Sequence, residues 1–280
     1  MQNTIGVTTQ GLLQIIDNNR MYNCPIDRQS VNDALHIYGP SISNLQGKST
    51  RSTQGRVILN NVCPIPPMLL TRHQNIILGI DVVKVNGVRF LDTYSRVVKF
   101  CTASEIHDAE IPPLITILKT KKAIYQVRGF NIIAIATDNA FEPMKQNLDF
   151  IDLKIPLNVT SEDEHEPYIE RFNRTLKERY RMCFATLPFR QITRRMVVEL
   201  VYLQICWLNF LIPLDYISTT MGPGTLICGR TYDYNNLCVP GSQYGEYVQT
   251  HEKTTNTMKV RTVGDLTLQP SGNAQVHSTI

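Results

Sequence analysis

The sequence lacks three features that would assign it to a specialised class of protein. Its seven cysteines are scattered, and none forms the CxxC pair typical of a zinc site, so we expect free, mostly buried thiols in a reducing, intracellular compartment. The first residues do not show the basic-then-apolar pattern of a secretory signal. The net charge of +4 is small for a dedicated nucleic-acid module. Overall charge therefore permits a polyanionic partner without indicating one.

One apolar run is nearly long enough to cross a membrane. It covers residues 196–214 and contains Glu199, Gln204 and Asn209. A charged residue at the centre of a membrane span costs about 2.5 kcal/mol or more. The run therefore predicts a buried helix of a globular core, and we expect no membrane partner.

Changes in composition predict three regions. Residues 1–72 are polar and weakly patterned, and they end in a proline-rich stretch, so they are predicted to form an N-terminal extension and linker. Residues 73–214 carry regular apolar patterns and are predicted to form the core. Residues 215–280 are rich in Gly, Asn and Tyr, and form a predicted C-terminal extension with a late strand over residues 263–268.

The predicted core begins with strands and continues with alternating elements. Strands are predicted over 75–85, 88–91, 95–102, 131–138 and 153–156, and helices over 111–122, 166–184 and 191–211. Asn86-Gly87 between the first two strands is a strong hairpin signal. This order predicts an α/β fold in which helices flank a mixed sheet, with less regular N- and C-terminal extensions. It resembles the order of the RNase H-like fold.

Two acids lie in or beside predicted buried strands. Asp81 interrupts the first apolar strand, and an unpaired carboxylate is costly to bury. Asp138 ends a later strand, a place where sheet proteins put functional groups. Structural explanations remain open for both: Asp81 could face solvent or pair with a basic residue, and Asp138 could form a turn with Asn139.

The helix predicted from residue 166 has two faces. A core stripe recurs at helical spacing: Ile169, Phe172, Leu176, Tyr180 and Cys183. On the adjacent face Glu170 precedes the bases Arg174, Lys177 and Arg181, which could hold a phosphate backbone. Alternatively, Glu170 is a surface acid paired with Arg174.

Three further acids are alternatives or neighbours. Glu164 and Glu166 could replace Glu170, although they fall at or before the start of the helix. Asp92 lies near the first acid in any hairpin, and we interpret it as a structural acid of a turn.

Together, Asp81, Asp138 and Glu170 are more informative than any one alone. Two strand acids and one helix acid can meet at a single site, and hard cations such as Mg²⁺ (or Mn²⁺) prefer carboxylate oxygens. Two such ions support in-line displacement at phosphorus. The set therefore indicates metal-dependent chemistry on a polyanionic substrate.

Three sequence blocks resemble retroelement integrases, most closely those of copia-type retrotransposon polyproteins. The blocks are ILGIDVVKVNGVRFLDTYSRVVKF around Asp81, Thr137-Asp138-Asn139, and YIERFNRTLKERYR around Glu170. Further similarity before and after them extends the resemblance over residues 32–273.

The resemblance implies an RNase H-like integrase core that joins the ends of element DNA to target DNA. Asp81 and Asp138 would share one metal ion, and Asp81 and Glu170 would hold a second. Arg174, Lys177 and Arg181 would contact DNA phosphates. The family also implies a homo-oligomer located in the nucleus or in a cytoplasmic particle.

A second hypothesis is a catalytically inactive, nucleic-acid-binding remnant of a retroelement polyprotein. Asp138 and Glu170 are separated by 31 residues, fewer than is usual in the family pattern. The spacing favours the remnant, whereas the presence of all three acids favours the enzyme.

Overall fold

The computed structural model describes residues 6–18, 22–48, 62–159, 167–231, 243–252, 257–270 and 278–279. The chain divides into two compact units. The smaller unit combines Met1–Arg56 with Glu246–Thr267, and the larger one combines Val57–Gly245 with Leu268–Thr279. The larger unit contains the sheet and all the predicted site residues. The limits of the three regions proposed from composition stay a prediction.

The larger unit is built on a five-stranded mixed sheet. Its strands are β1 (Asn75–Val85), β2 (Val88–Ser95), β3 (Cys101–Ile106), β4 (Asn131–Thr137) and β5 (Leu157–Val159). They are arranged in the order β3-β2-β1-β4-β5. The first three strands are antiparallel, whereas β4 runs parallel to both β1 and β5. The predicted RNase H-like mixed sheet is confirmed.

The β1–β2 hairpin fixes which residues face each other. Asn86 and Gly87 adopt φ values of 45° and 85°, the positive values that a two-residue hairpin turn needs. Val85 consequently pairs with Val88, and Asp81 pairs with Asp92 four positions further along the ladder.

Two strand predictions were displaced along the chain. The strand predicted over 95–102 is a turn as far as Phe100: Lys99 has a φ of 52°, and the Ser95 amide donates to the Phe100 carbonyl at 3.0 Å. The pairing strand β3 therefore begins only at Cys101. The short strand predicted over 153–156 forms at Leu157–Val159 instead, after a turn in which Lys154 also has a φ of 52°.

Helices cover both faces of the sheet. Those of the larger unit are α4 (Pro67–His73), α5 (Ile111–Val127), α6 (Leu148–Ile151), α7 (Pro167–Thr186), α8 (Arg194–Phe210) and α9 (Pro223–Cys228), with a 3₁₀ segment over Asn139–Gln146. Ile76, Leu78 and Ile80 of β1 pack in one core with α5. Val83 and Val85 point the other way, into a second core with α7 and α8. Alternation along β1 therefore places Asp81 on the α7 side.

The apolar run tested for membrane insertion forms α8, a buried helix of the second core. Two of its polar residues have partners: Glu199 pairs with Arg195 at 2.7 Å, and the Asn209 amide donates to the Cys101 carbonyl at 2.8 Å. Among the described residues, no helix is long and apolar enough to span a membrane.

The smaller unit joins segments from both ends of the chain. Its helices are α1 (Thr9–Asp17), α2 (Arg28–Tyr38) and α3 (Ile42–Lys48). A hairpin of β6 (Tyr247–His251) and β7 (Thr262–Leu266) packs on α3, and the Arg261 amide donates to the Gln46 carbonyl at 2.8 Å. In the larger unit, the two-residue strands β8 (Gln269–Pro270) and β9 (Ser278–Thr279) form a minimal ladder.

Candidate active site

Asp81 is held from two sides in the middle of β1. The backbone amide of Val82 donates to its Oδ1 at 2.7 Å, and Asn173 Nδ2 of α7 donates to its Oδ2 at 2.5 Å. Burial raises the pKa of Asp81, and the nearby charge of Asp138 adds to that increase. Among the described residues, no Lys or Arg forms an ion pair with Asp81 within 4 Å, and Lys177 acts on Asp81 only from a greater distance.

Asp138 follows β4 and begins the 3₁₀ segment. Its side chain makes no capping hydrogen bond, which removes the turn explanation. Its Oδ1 is buried and has no hydrogen-bond partner among the described residues. Asp138 and Asp81 line the same cavity of about 210 Å³, next to Ile111 and Phe141. The structure thus brings the two strand acids together, and it leaves one buried carboxylate oxygen without a protein donor.

Glu170 lies in the first turn of α7 and is exposed. It does not line the cavity shared by Asp81 and Asp138. Asn173, one helical turn later on the same face, reaches Asp81 instead. Within the described ranges, no three His, Cys, Asp or Glu side chains form a group that could hold a metal ion. The convergence of all three acids therefore stays a prediction, and the alternatives Glu164 and Glu166 lie outside the described residues.

Asp92 lies beside Asp81, as the hairpin predicts, but its role differs from the one expected. The interpretation as a turn acid is wrong, because Asp92 lies inside β2, fully buried and paired with Asp81. Neither carboxylate oxygen of Asp92 has a hydrogen-bond partner among the described residues. Burial raises the pKa of Asp92 well above its usual value, and the charge of Asp81 adds to the effect. A count from the Asn86-Gly87 turn would have found this pair.

The three predicted DNA-contacting bases follow Glu170 along α7. Arg174 and Arg181 are exposed, and Lys177 is half-buried. Lys177 is close enough to the strand acids to lower the pKa of both Asp81 and Asp92. The middle base of this face therefore approaches the acids, while the two arginines are exposed to solvent.

The carboxylates of Asp81 and Asp138 fit a divalent cation. Carboxylate oxygens are the ligands that Mg²⁺ and Mn²⁺ prefer. The buried, unpartnered Oδ1 of Asp138 beside Asp81 is a position where a cation would compensate the loss of solvation. Asp81 and Asp138 would hold such an ion, and Glu170 is placed on the helix that binds Asp81.

The strand order, register and flanking helices define an RNase H-like α/β fold, with one acid in β1 and one directly after the adjacent parallel strand β4. No family model and no curated protein matches the sequence.

Three solved structures illustrate what the chain is similar to. The HTLV-2 integrase catalytic core domain in complex with magnesium, in its trimeric form, is 14% identical with a TM-score of 0.41, over 55% of this chain and 97% of that one. The catalytic core domain of BIV integrase is 13% identical with a TM-score of 0.39, over 54% and 93%. A simian T-cell lymphotropic virus intasome in complex with PP2A regulatory subunit B56 gamma is 14% identical with a TM-score of 0.42, over 96% and 87%. The fold assignment rests on the sheet itself.

Proposed function

We propose that this chain is an integrase-like polynucleotidyl transferase that joins the ends of retroelement DNA to target DNA. Asp81, Asp138 and Glu170 would be its catalytic and metal-binding carboxylates. The observation that carries the proposal is the shared cavity of Asp81 and Asp138, in which one oxygen of Asp138 is buried without a partner. The copia-type assignment remains part of this proposal.

Each part of the chain would have a defined task in the reaction. Asn173 and the Val82 amide orient the Asp81 carboxylate through its two oxygens. The end of β4 holds Asp138 next to it, and α7 carries Glu170 one turn before Asn173. When bound, two Mg²⁺ or Mn²⁺ ions would activate the attacking oxygen and stabilise the leaving oxygen.

DNA would be held by the bases of α7. Arg174, Lys177 and Arg181 follow Glu170 at helical spacing, so their charges extend along one side of the helix from the acids. Such contacts are made to phosphates, and they give affinity that tolerates any sequence and falls with salt. Assembly into a homo-oligomer, and a nuclear or particle location, are part of the same proposal.

The second candidate is an inactive nucleic-acid-binding remnant. The exposed position of Glu170, outside the cavity of the other two acids, favours it. Both candidates would bind DNA, but only the first would catalyse strand transfer, so an activity assay distinguishes them.

The test is strand transfer on short duplexes that carry element-end sequences, with Mg²⁺ or Mn²⁺. We expect Asp138→Asn to reduce the product to background, because the amide cannot replace a charged metal ligand. Asp149→Asn is the matched control, since Asp149 is an exposed acid paired with Lys119 at 3.1 Å. Product formed by Asp138→Asn at the wild-type rate would exclude the mechanism. A wild-type chain that binds DNA but yields no product would support the remnant.

A further inference from the structure

A second cavity opens on the other side of α7 from the acids. It has a volume of about 390 Å³, and it lies between the end of β2, the turn that follows it, α7 and the end of α8. Its basic and aromatic lining residues are Tyr94, Arg96, Lys99, Tyr168, Arg171 and Phe172. A cavity of this size falls in the range of sites that hold small organic ligands.

Among the described residues, the lining carries three cations and no acid. Arg96 and Arg171 are exposed, Lys99 is half-buried, and no carboxylate lies within 4 Å of any of them in the described part of the chain. Lys99 Nζ is fixed by a hydrogen bond of 2.9 Å to the Leu214 carbonyl. Arg171 is near enough to lower the pKa of Tyr94, although burial has the larger, opposite effect. The cavity therefore suits an anionic ligand.

Aromatic rings form the wall next to these cations. Tyr94 stacks on the buried ring of Phe172, with centroids 4.8 Å apart and planes within 11°. Tyr168 stands beside Tyr94 at 6.4 Å, and the Arg96 guanidinium lies 5.9 Å from the centre of the Tyr168 ring. Flat rings fixed beside cations recognise a planar, anionic molecule better than a simple ion.

The cavity adjoins the strand that carries Asp81. Tyr168 packs on Gly79, two residues before Asp81, so closely that a Cβ on Gly79 would come within 2.8 Å of the Tyr168 ring. Asn173 of the same helix binds Asp81 itself. The β1–α7 contact thus separates the acids from the basic, aromatic cavity by only a few residues.

We propose that this cavity binds one unpaired nucleotide of a DNA strand, its base against the tyrosine rings and its phosphate against Arg96 and Arg171. The chemistry is that of single-strand binding sites, which combine cations with stacking rings. The inference rests on the proposed function for its choice of DNA, and it adds a preference for frayed or overhanging ends. An acidic peptide would match the cations but would leave the ring wall without a planar partner.

The experiment compares two labelled duplexes of the same sequence, one blunt and one with a short unpaired overhang, bound to the full chain at fixed salt. We expect the double variant Arg96→Gln, Arg171→Gln to lose about tenfold in affinity for the overhang duplex. Its loss on the blunt duplex should match that of the double variant Arg72→Gln, Lys84→Gln, which removes two exposed charges from α4 and β1, outside the cavity lining. Both variants change exposed side chains, so neither should unfold the chain.

Equal losses on the two duplexes would overturn the proposal, because the cavity would then act only as general positive charge. Competition gives a second reading: dAMP should displace the overhang duplex at concentrations at which inorganic phosphate does not, and equal displacement by phosphate would reduce the cavity to a simple anion site. Strand transfer is measured separately. If strand transfer is absent but the preference for the overhang duplex is present, only the proposed function is wrong. If strand transfer is present but the preference is absent, only this inference is wrong.

Discussion

The two sides of α7 carry opposite electrostatic environments. On one side Asn173 meets Asp81, with Asp92 and Asp138 close by, and burial raises the pKa of Asp81 and Asp92. On the other side Arg96, Lys99 and Arg171 surround a row of aromatic rings. Among the described residues, the acidic side has buried oxygens that lack donors, whereas no carboxylate lines the basic cavity. The two sides of one helix thus carry a site suited to a cation and a site suited to an anion, only a few residues apart.

The largest loss of strand transfer should come from breaking the hydrogen bond between α7 and Asp81. Asn173→Leu removes the donor to Asp81 Oδ2 and keeps an apolar side chain of similar size. We expect strand transfer to fall by about 10- to 100-fold, as for residues that orient metal ligands. Melting temperature should fall as well, since a bond to a charged group contributes about 1.5–3 kcal/mol.

Glu178→Gln on the exposed side of α7 is the control for Asn173→Leu, and it should change neither quantity. Binding of the overhang duplex should be unaffected by Asn173→Leu. If binding of the overhang duplex fell together with strand transfer, the basic cavity and the acidic site would not function independently.

Asp92 should make stability depend on pH. Its pKa is raised in the folded chain, so its contribution is fully present below the unfolded pKa of about 3.9 and is lost as pH rises through the folded value. Asp92→Asn removes this dependence while retaining the shape of the side chain. We expect the variant to melt higher than the wild type by a margin that grows as the pH rises from about 4 towards the folded pKa of Asp92.

Thermal melts across that range, with the surface variant Asp149→Asn as reference, measure the margin. A constant difference between Asp92→Asn and the wild type at all pH values would show that Asp92 is not a titrating buried acid. Burial of the ionised Asp92 carboxylate would then cost less stability than its unpartnered oxygens indicate.

The smallest effects should come from the bases that extend along the acidic side. Substituting Arg174, Lys177 or Arg181 singly with Gln should weaken blunt-duplex binding at all sequences and lower the slope of log affinity against log salt by about one each. Titrations at several salt concentrations measure the slope. An unchanged slope for all three variants would remove this face from the DNA contact, and would leave the basic cavity as the stronger candidate.

Much of the fold was predictable because local patterns and tertiary packing agree. The β-branched run of β1 and the Asn86-Gly87 turn matched the structure, and of the predicted core stripe of α7 the first three residues, Ile169, Phe172 and Leu176, are buried. The late strand predicted over 263–268 also forms, as β7.

The start of β3 was not predictable, because the turn before it consists of residues with strand propensity. Residues 96–99 include Val97 and Val98, and the turn is closed by the bond between the Ser95 amide and the Phe100 carbonyl. A positive φ at Lys99 carries no local sequence signal.

The candidate site was predictable only in part. Asp81 and Asp138 were identified because an acid beside a buried strand is costly, and the two do share a cavity. The partner role of Asn173 was missed because an amide on a basic helix face has no distinctive signal. The basic cavity was missed because its lining joins a strand end, a turn and two helices that are far apart in sequence.

Direct binding of a divalent cation tests the central claim most sharply. Mn²⁺ is titrated into the full chain and followed by the loss of free-ion paramagnetic resonance, for the wild type and for Asp81→Asn, Asp138→Asn, Glu170→Gln and the surface control Asp149→Asn. We predict that each of the first three substitutions weakens binding by at least about tenfold and that the control leaves it unchanged. Wild-type affinity in Glu170→Gln would contradict the account, because the helix acid would then take no part in the metal site.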